Sequence, residues 1–211
     1  MFFVKAFTCG LLETNAYLFG LDTGEEMVLL DAPQGCFDIV RAELEKTKFR
    51  LEAVLITHAH FDHILDLGYF TENNIPIYAH GDSQDDIMNL KTFNMIEFSS
   101  SEYPNGKISV PLTGETTVSV AGLEIKVLEV PGHSPDSLAY FIPSHSVCFV
   151  GDLIFRDSVG RTDLPGGDFD QLAESIQTKI YSLDDSTIIY PGHGPQTKVG
   201  SEKYSNPFVR G

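Results

Sequence analysis

The sequence predicts an α+β fold made of two similar halves, and three observations carry that prediction. Strand-length apolar runs rich in β-branched residues recur along all 211 residues. Stretches with helical spacing fall between some of them, at 37–46 and again after Asp168. In each half the order is strands, a helix, and then a strand that delivers histidine at its end. The halves share element order rather than sequence, so they do not form a repeat. No linker-like stretch divides the chain, which is read as one domain over 1–211 with room for a large core.

Taken in order, residues 2–7, 15–21 and 27–31 read as a small strand meander, with Asp22, Thr23 and Gly24 as the second turn. Phe37, Val40 and Leu44 then recur at helical spacing, and 51–57 is an apolar, β-branched strand. Residues 64–70 read as helix, 75–79 as a short strand and 83–95 as an amphipathic helix. The segment 81–104 contributes no candidate ligand and is the expected lid or dimer contact. Strands follow at 108–111, 116–120 and 124–130, the last two joined by Ala121 and Gly122. Residues 138–142 and 146–150 form a hairpin. Asp168 with Gln171 three positions on opens the clearest helix, striped by Leu172, Ile176 and Ile180. A final strand at 187–190 runs into Pro191, Gly192 and His193, and a polar tail closes the chain.

A net charge of −16 and the lack of a Lys/Arg-rich run exclude a nucleic-acid surface. The three cysteines, Cys9, Cys36 and Cys148, have no CxxC spacing and support neither a disulfide framework nor a thiolate metal site. No signal peptide or membrane span is indicated, so a reducing, cytoplasmic setting is expected.

The densest chemistry is Thr57-His58-Ala59-His60-Phe61-Asp62-His63, three imidazoles and a carboxylate straight after an apolar strand. Held there without an ion, these groups would be desolvated, and the imidazoles would repel one another on protonation. A divalent cation removes both problems. His58 and His60, two apart, leave the strand end pointing the same way, while Asp62 and His63 sit where the next helix begins. Without metal, one histidine as a cap or core group would be expected here. His133, Asp152 and His193 add three more candidates, each beside a glycine after an apolar strand. Two of them repeat a Pro-Gly-His turn. Together His58, His60, Asp62, His63, His133, Asp152 and His193 are seven N/O donors without sulfur, enough for two ions.

The ordered motifs THAHFDH (57–63), PGHS (131–134), GDLIF (151–155) and PGHG (191–194) resemble the metallo-β-lactamase superfamily over nearly the whole chain. The resemblance implies a four-layer αββα sandwich with a dinuclear site. His58, His60 and His133 would hold one metal and Asp62, His63 and His193 the other, with Asp152 bridging. Zinc is the expected metal, with iron and manganese as the alternatives. The stretch 155–168, FRDSVGRTDLPGGD, is similar to the glyoxalase II-like branch, which hydrolyses hydroxyacyl thioesters. That implies a small thioester or ester substrate attacked by a metal-bridging hydroxide, with Asp62 and Asp152 as catalytic carboxylates. Full-length members of that branch add a helical C-terminal segment that helps bind glutathione. This chain ends 18 residues after His193, which removes the usual basis for glutathione recognition. A second departure is Asp136, where relatives usually have glycine.

Two other readings compete. Persulfide dioxygenases resemble much of the same motif set but use one iron held at positions matching His58, His133 and Asp152. A non-enzymatic metal-binding domain would be suggested by a lost ligand, and none is lost. Asp31 is open between a support for a ligand histidine and a turn carboxylate. Arg161 is open between a substrate contact and an internal pair with Asp163, the pair being favoured. His80 and His145 are read as non-ligands, and Tyr190 and Cys148 as core. The acyl group, thiol carrier and oligomeric state are not legible in the sequence.

Overall fold

A six-stranded mixed sheet forms the heart of the first unit in the computed structural model, which describes residues 1–89 and 104–211. This unit comprises Met1–Thr113 with Ser119–Leu123; the second comprises Gly114–Val118 with Glu124–Gly211. Strands β1 (Phe2–Cys9), β2 (Thr14–Leu21) and β3 (Glu26–Leu30) make the expected antiparallel meander. Helix α1 (Cys36–Leu44) then crosses to β4 (Arg50–Leu55), which pairs parallel with β3. After two short helices, α2 (Phe61–Ile64) and α3 (Leu67–Glu72), β5 (Ile77–His80) and β6 (Val110–Leu112) continue the parallel side of the sheet.

Position in the sheet follows burial. Strand β2 is buried at every residue but its last, as a strand covered on both faces requires. Its Ala16 and Leu18 join Met27, Leu29, Val54, Ile56 and Ile77 in one apolar cluster, closed by Val40 of α1 and Phe70 of α3. The first turn of α1 is held by Asp66, whose carboxylate accepts the Phe37 N–H at 2.9 Å. Burial pushes that carboxyl above its usual range, while backbone N–H groups of Phe37, Gly35 and Cys36 pull it back.

Where one helix over 64–70 was expected, two form, at Phe61–Ile64 and Leu67–Glu72. The backbone breaks between them because Asp66 takes its N–H to the Ala32 carbonyl and Ala32 takes its own to His63, tying both to the end of β3. Of the helix expected over 83–95, α4 (Gln84–Asn89) is formed. Residues 90–103, most of the expected lid, lie outside the described residues.

The second unit carries another six-stranded sheet. Strands β7 (Thr116–Val120), β8 (Leu123–Glu129), β9 (Leu138–Ile142) and β10 (Val147–Gly151) include the expected hairpin at β9 and β10. A two-stranded ribbon follows, β11 (Ile154–Phe155) with β12 (Ser158–Val159). Helix α5 (Phe169–Ser175) starts at Asp168, whose side chain accepts the Gln171 N–H at 3.0 Å. A π-helical turn extends it through Ile180, and Leu172, Ile176 and Ile180 are all fully buried. Strand β13 (Ile188–Pro191) lies parallel to β10, and β14 (Thr197–Lys198) edges it.

The expected polar tail is instead a helix, α6 (Val199–Ser205), with Val199 and Glu202 buried. Its single apolar anchor gives no helical stripe to read, so packing rather than periodicity fixes it. Among the described residues no helix is long and apolar enough to cross a membrane.

Candidate metal centre

In the first unit the donors leave the end of β4 in a conformation dictated by one carboxylate. Asp31, at the end of β3, adopts φ 59°, a left-handed backbone that aspartate tolerates better than most residues. It is fully buried and accepts the Thr57 N–H at 2.8 Å, the Thr57 hydroxyl at 2.9 Å and His63 Nδ1 at 2.8 Å. The turn that follows β4 is thereby pinned, and His60 becomes the residue just before α2. Asp62 and His63 lie in that helix's single turn, with His63 N–H on the His60 carbonyl at 2.9 Å. Asp62 is steadied by Thr14, whose hydroxyl donates to Oδ2 at 2.8 Å. Nothing in the sequence singled out Thr14, because the contact spans 48 positions.

The protons in this cluster can be placed by elimination. Thr57 has one hydroxyl hydrogen, and it goes to Asp31. Toward His58, Thr57 Oγ1 therefore accepts, so His58 Nδ1, 3.1 Å away, carries the ring proton. His58 Nε2 is left with its lone pair, 3.0 Å from Nδ1 of His60. His63 likewise donates from Nδ1 to Asp31, and its Nε2 faces Asp62 Oδ2 at 3.5 Å. A nitrogen lone pair facing a carboxylate oxygen is repulsive until a cation joins them. A divalent cation placed between them would remove that repulsion.

The second unit reaches the same result with backbone. His133 follows Gly132, which has φ 135° and would drive a Cβ to within 2.2 Å of the Leu172 nitrogen. Glycine is thus required for α5 to pack against this turn. His133 Nδ1 donates to the Arg161 carbonyl at 2.7 Å, leaving Nε2 as a lone pair 3.7 Å from Asp152 Oδ2. Asp152 follows Gly151 at the end of β10, and His193 Nε2 stands 3.3 Å from the same Oδ2. The end of β13 is fixed beside it by the Gly192 N–H on the Gly151 carbonyl at 2.8 Å. Within this unit His133 and His193 converge on one Asp152 oxygen.

Other residues resolve plainly. The Arg161 guanidinium forms a two-pronged pair with Asp163, both contacts at 2.7 Å, and draws that exposed carboxyl down to about 2. It is Arg161's backbone carbonyl that serves His133, which side-chain reasoning could not find. Asp136 is buried and accepts the Ser134 hydroxyl. His80 accepts the Asp82 N–H, and His145 Nδ1 meets the Ser144 hydroxyl. Tyr190 stacks on Phe149 at 5.2 Å. Beside Asp62 and Thr14 a pocket of about 140 Å³ opens, walled by Leu11, Leu12, Phe61 and Leu65.

The chain as a whole matches a known family. The family model for the metallo-beta-lactamase superfamily fits residues 9–193. The chain belongs to that superfamily. Its fold is the metallo-β-lactamase fold, an α+β arrangement, and its family is one of metallo-hydrolases that bind divalent metals. A probable metallo-hydrolase of Bacillus subtilis, YqgX, is 30% identical over 203 residues, covering 96% of this chain and 95% of that protein. The hydroxyacylglutathione hydrolase GloC of Haemophilus influenzae is 30% identical over 195 residues, covering 89% of each. Among solved structures, the B3 metallo-β-lactamase BLEG-1 matches with TM-score 0.87 and 33% identity over the full length of both chains. TTHA1623 in a di-iron-bound form matches with TM-score 0.79 and 34% identity, covering 98% of this chain and 100% of that one.

Proposed function

We propose that this metallo-β-lactamase superfamily chain is a dinuclear hydrolase of a small thioester or ester, glyoxalase II-like in chemistry. His58, His60 and His133 would hold one divalent ion and Asp62, His63 and His193 the other, with Asp152 shared between the two sets. The observation that carries this reading is the proton placement: Nε2 of His58, His63 and His133 each offer a lone pair because Nδ1 is committed to Thr57, Asp31 or Arg161. All-N/O donors suit zinc, and the di-iron-bound relative keeps iron as the alternative.

A metal pair, when bound, supplies a hydroxide equivalent near neutral pH by lowering the pKa of water to about 7, and it polarises the carbonyl. The residues supply orientation. Asp62, fixed by the Thr14 hydroxyl, and Asp152 accept hydrogen bonds from the attacking water and aim its lone pair at the carbonyl carbon. A thiolate leaves readily, so no separate acid is assigned. The apolar pocket beside Asp62 seats the acyl group. At 140 Å³ it is close to the roughly 150 Å³ that suffices for a benzene ring, so acyl groups of up to about six carbons fit.

The test is metal analysis of anaerobically purified protein beside thioester hydrolysis by wild type and Asp152→Ala. About two metal ions per chain with turnover, both lost in the variant, are expected. A single iron with oxygen uptake on a persulfide, or an unchanged rate in Asp152→Ala, would overturn the assignment.

A further inference from the structure

Glu202 of α6 is 1% exposed, an unusual place for a carboxylate, and its hydrogen bonds say what holds it there. One oxygen accepts the Asp157 N–H and Asn206 Nδ2, each at 3.0 Å, and the other accepts the Thr197 hydroxyl. Asn206 Nδ2 also donates to the Ser158 carbonyl at 3.0 Å. Asp157 lies in the turn of the β11–β12 ribbon at φ 58°, and Ser158 is the first residue of β12. The buried carboxylate and its asparagine therefore grip the backbone of that turn.

One end of the same ribbon runs into a proposed metal ligand, and the other into the backbone group that orients a second. Just before β11 comes Asp152. Just after β12, the Gly160 N–H closes on the Leu153 carbonyl at 3.2 Å, and the following carbonyl, that of Arg161, orients His133. The packing there leaves no slack: a Cβ on Gly160 would lie 1.7 Å from the Asp152 carbonyl oxygen and 3.3 Å from His133 Nδ1. Moving the ribbon moves Asp152 and the acceptor of His133 together.

We infer that Glu202 is a positioning residue for the His133–Asp152 pair, acting through the β11–β12 ribbon, so that the last helix of the chain sets metal affinity. This rests on the reading of His133 and Asp152 as ligands. The carboxylate is needed for the hydrogen bonds it makes to Asp157, Asn206 and Thr197 rather than for its charge. Glutamine satisfies the same partners, because its amide oxygen can take the Asp157 N–H while its NH₂ donates to Thr197 Oγ1.

The experiment measures zinc affinity of the full-length apoprotein by competition with a chromophoric chelator, with the thermal midpoint recorded beside it. Glu202→Ala should weaken zinc binding about 10-fold or more, and Glu202→Gln should restore most of that loss. Val199→Ala removes a fully buried side chain from the same helix and should lower the midpoint with zinc affinity unchanged. The inference is overturned if Glu202→Ala weakens binding no more than Val199→Ala, or if Glu202→Gln is as weak as Glu202→Ala. Should Glu202→Ala not fold, Asn206→Ala, which cuts the Ser158 bridge, replaces it, and wild-type affinity in that variant overturns the inference. Wild-type protein that takes up no zinc would instead sink the ligand reading beneath it.

Discussion

The two units solve one problem, holding imidazole lone pairs in fixed directions, with different materials. The first packs four donors into six successive residues and orients them with side chains: Asp31 serves both Thr57 and His63, and Thr57 serves His58. The second takes one donor from each of three separate turns and orients them with backbone: the Arg161 carbonyl for His133, and the Gly192 to Gly151 hydrogen bond for the strand ends. A side-chain scaffold concentrates its risk in one residue. A backbone scaffold spreads its risk over positions where only glycine fits.

That contrast can be broken most forcefully at Asp31. Asp31→Ala leaves the Thr57 and His63 N–H donors buried without their acceptor, at about 1–3 kcal/mol each, and puts alanine in a left-handed backbone at about 1–2 kcal/mol more. Loss of cooperative folding, or at best a metal affinity reduced about 10–100-fold, is expected from denaturation and chelator titrations. A variant that binds metal like wild type would show that the first unit does not depend on this carboxylate.

In the second unit the corresponding test is Gly160→Ala. The added methyl meets backbone, not a yielding side chain, so Asp152 or the ribbon has to shift at a cost of about 3 kcal/mol. The stability loss should come with weaker metal binding. Stability lost without any change in affinity would argue that the ribbon does not place the donors.

The smallest effect is expected at the thiols, which belong to neither scaffold. Cys36 and Cys148 are fully buried, and burial pushes both thiols well up, with Asp66 adding to the shift at Cys36. A raised pKa keeps them protonated across about pH 7–9, so modification by a thiol reagent in the native protein should be slow and nearly independent of pH there. A rate that climbs tenfold per pH unit would mean that a thiolate is accessible in the folded state.

The sequence shows the donors far better than what aims them. All seven proposed ligands stand out because a histidine-rich run after an apolar strand, and histidine or aspartate beside glycine at strand ends, are chemically conspicuous, and the two-half element order follows from hydrophobic spacing. Asp31 was visible only as an ambiguous turn residue. Thr14, the Arg161 carbonyl and Glu202 were not visible at all. Each acts across a long stretch of sequence through a group whose type is ordinary: a hydroxyl, a peptide carbonyl, a carboxylate on a surface-patterned helix. Periodicity likewise missed α6 and the β11–β12 ribbon, which are too short to display a period and exist because of what they pack against.

Thr57 has a consequence of its own. Its hydroxyl is a valve for hydrogen: the single proton points toward Asp31, so only a lone pair is left for His58. The direction in which His58 can bind a cation is therefore set by a neutral neighbour with no place in the coordination sphere. Serine at this position would keep that polarity. Valine, nearly identical in shape, would erase it and leave the ring free to choose either tautomer.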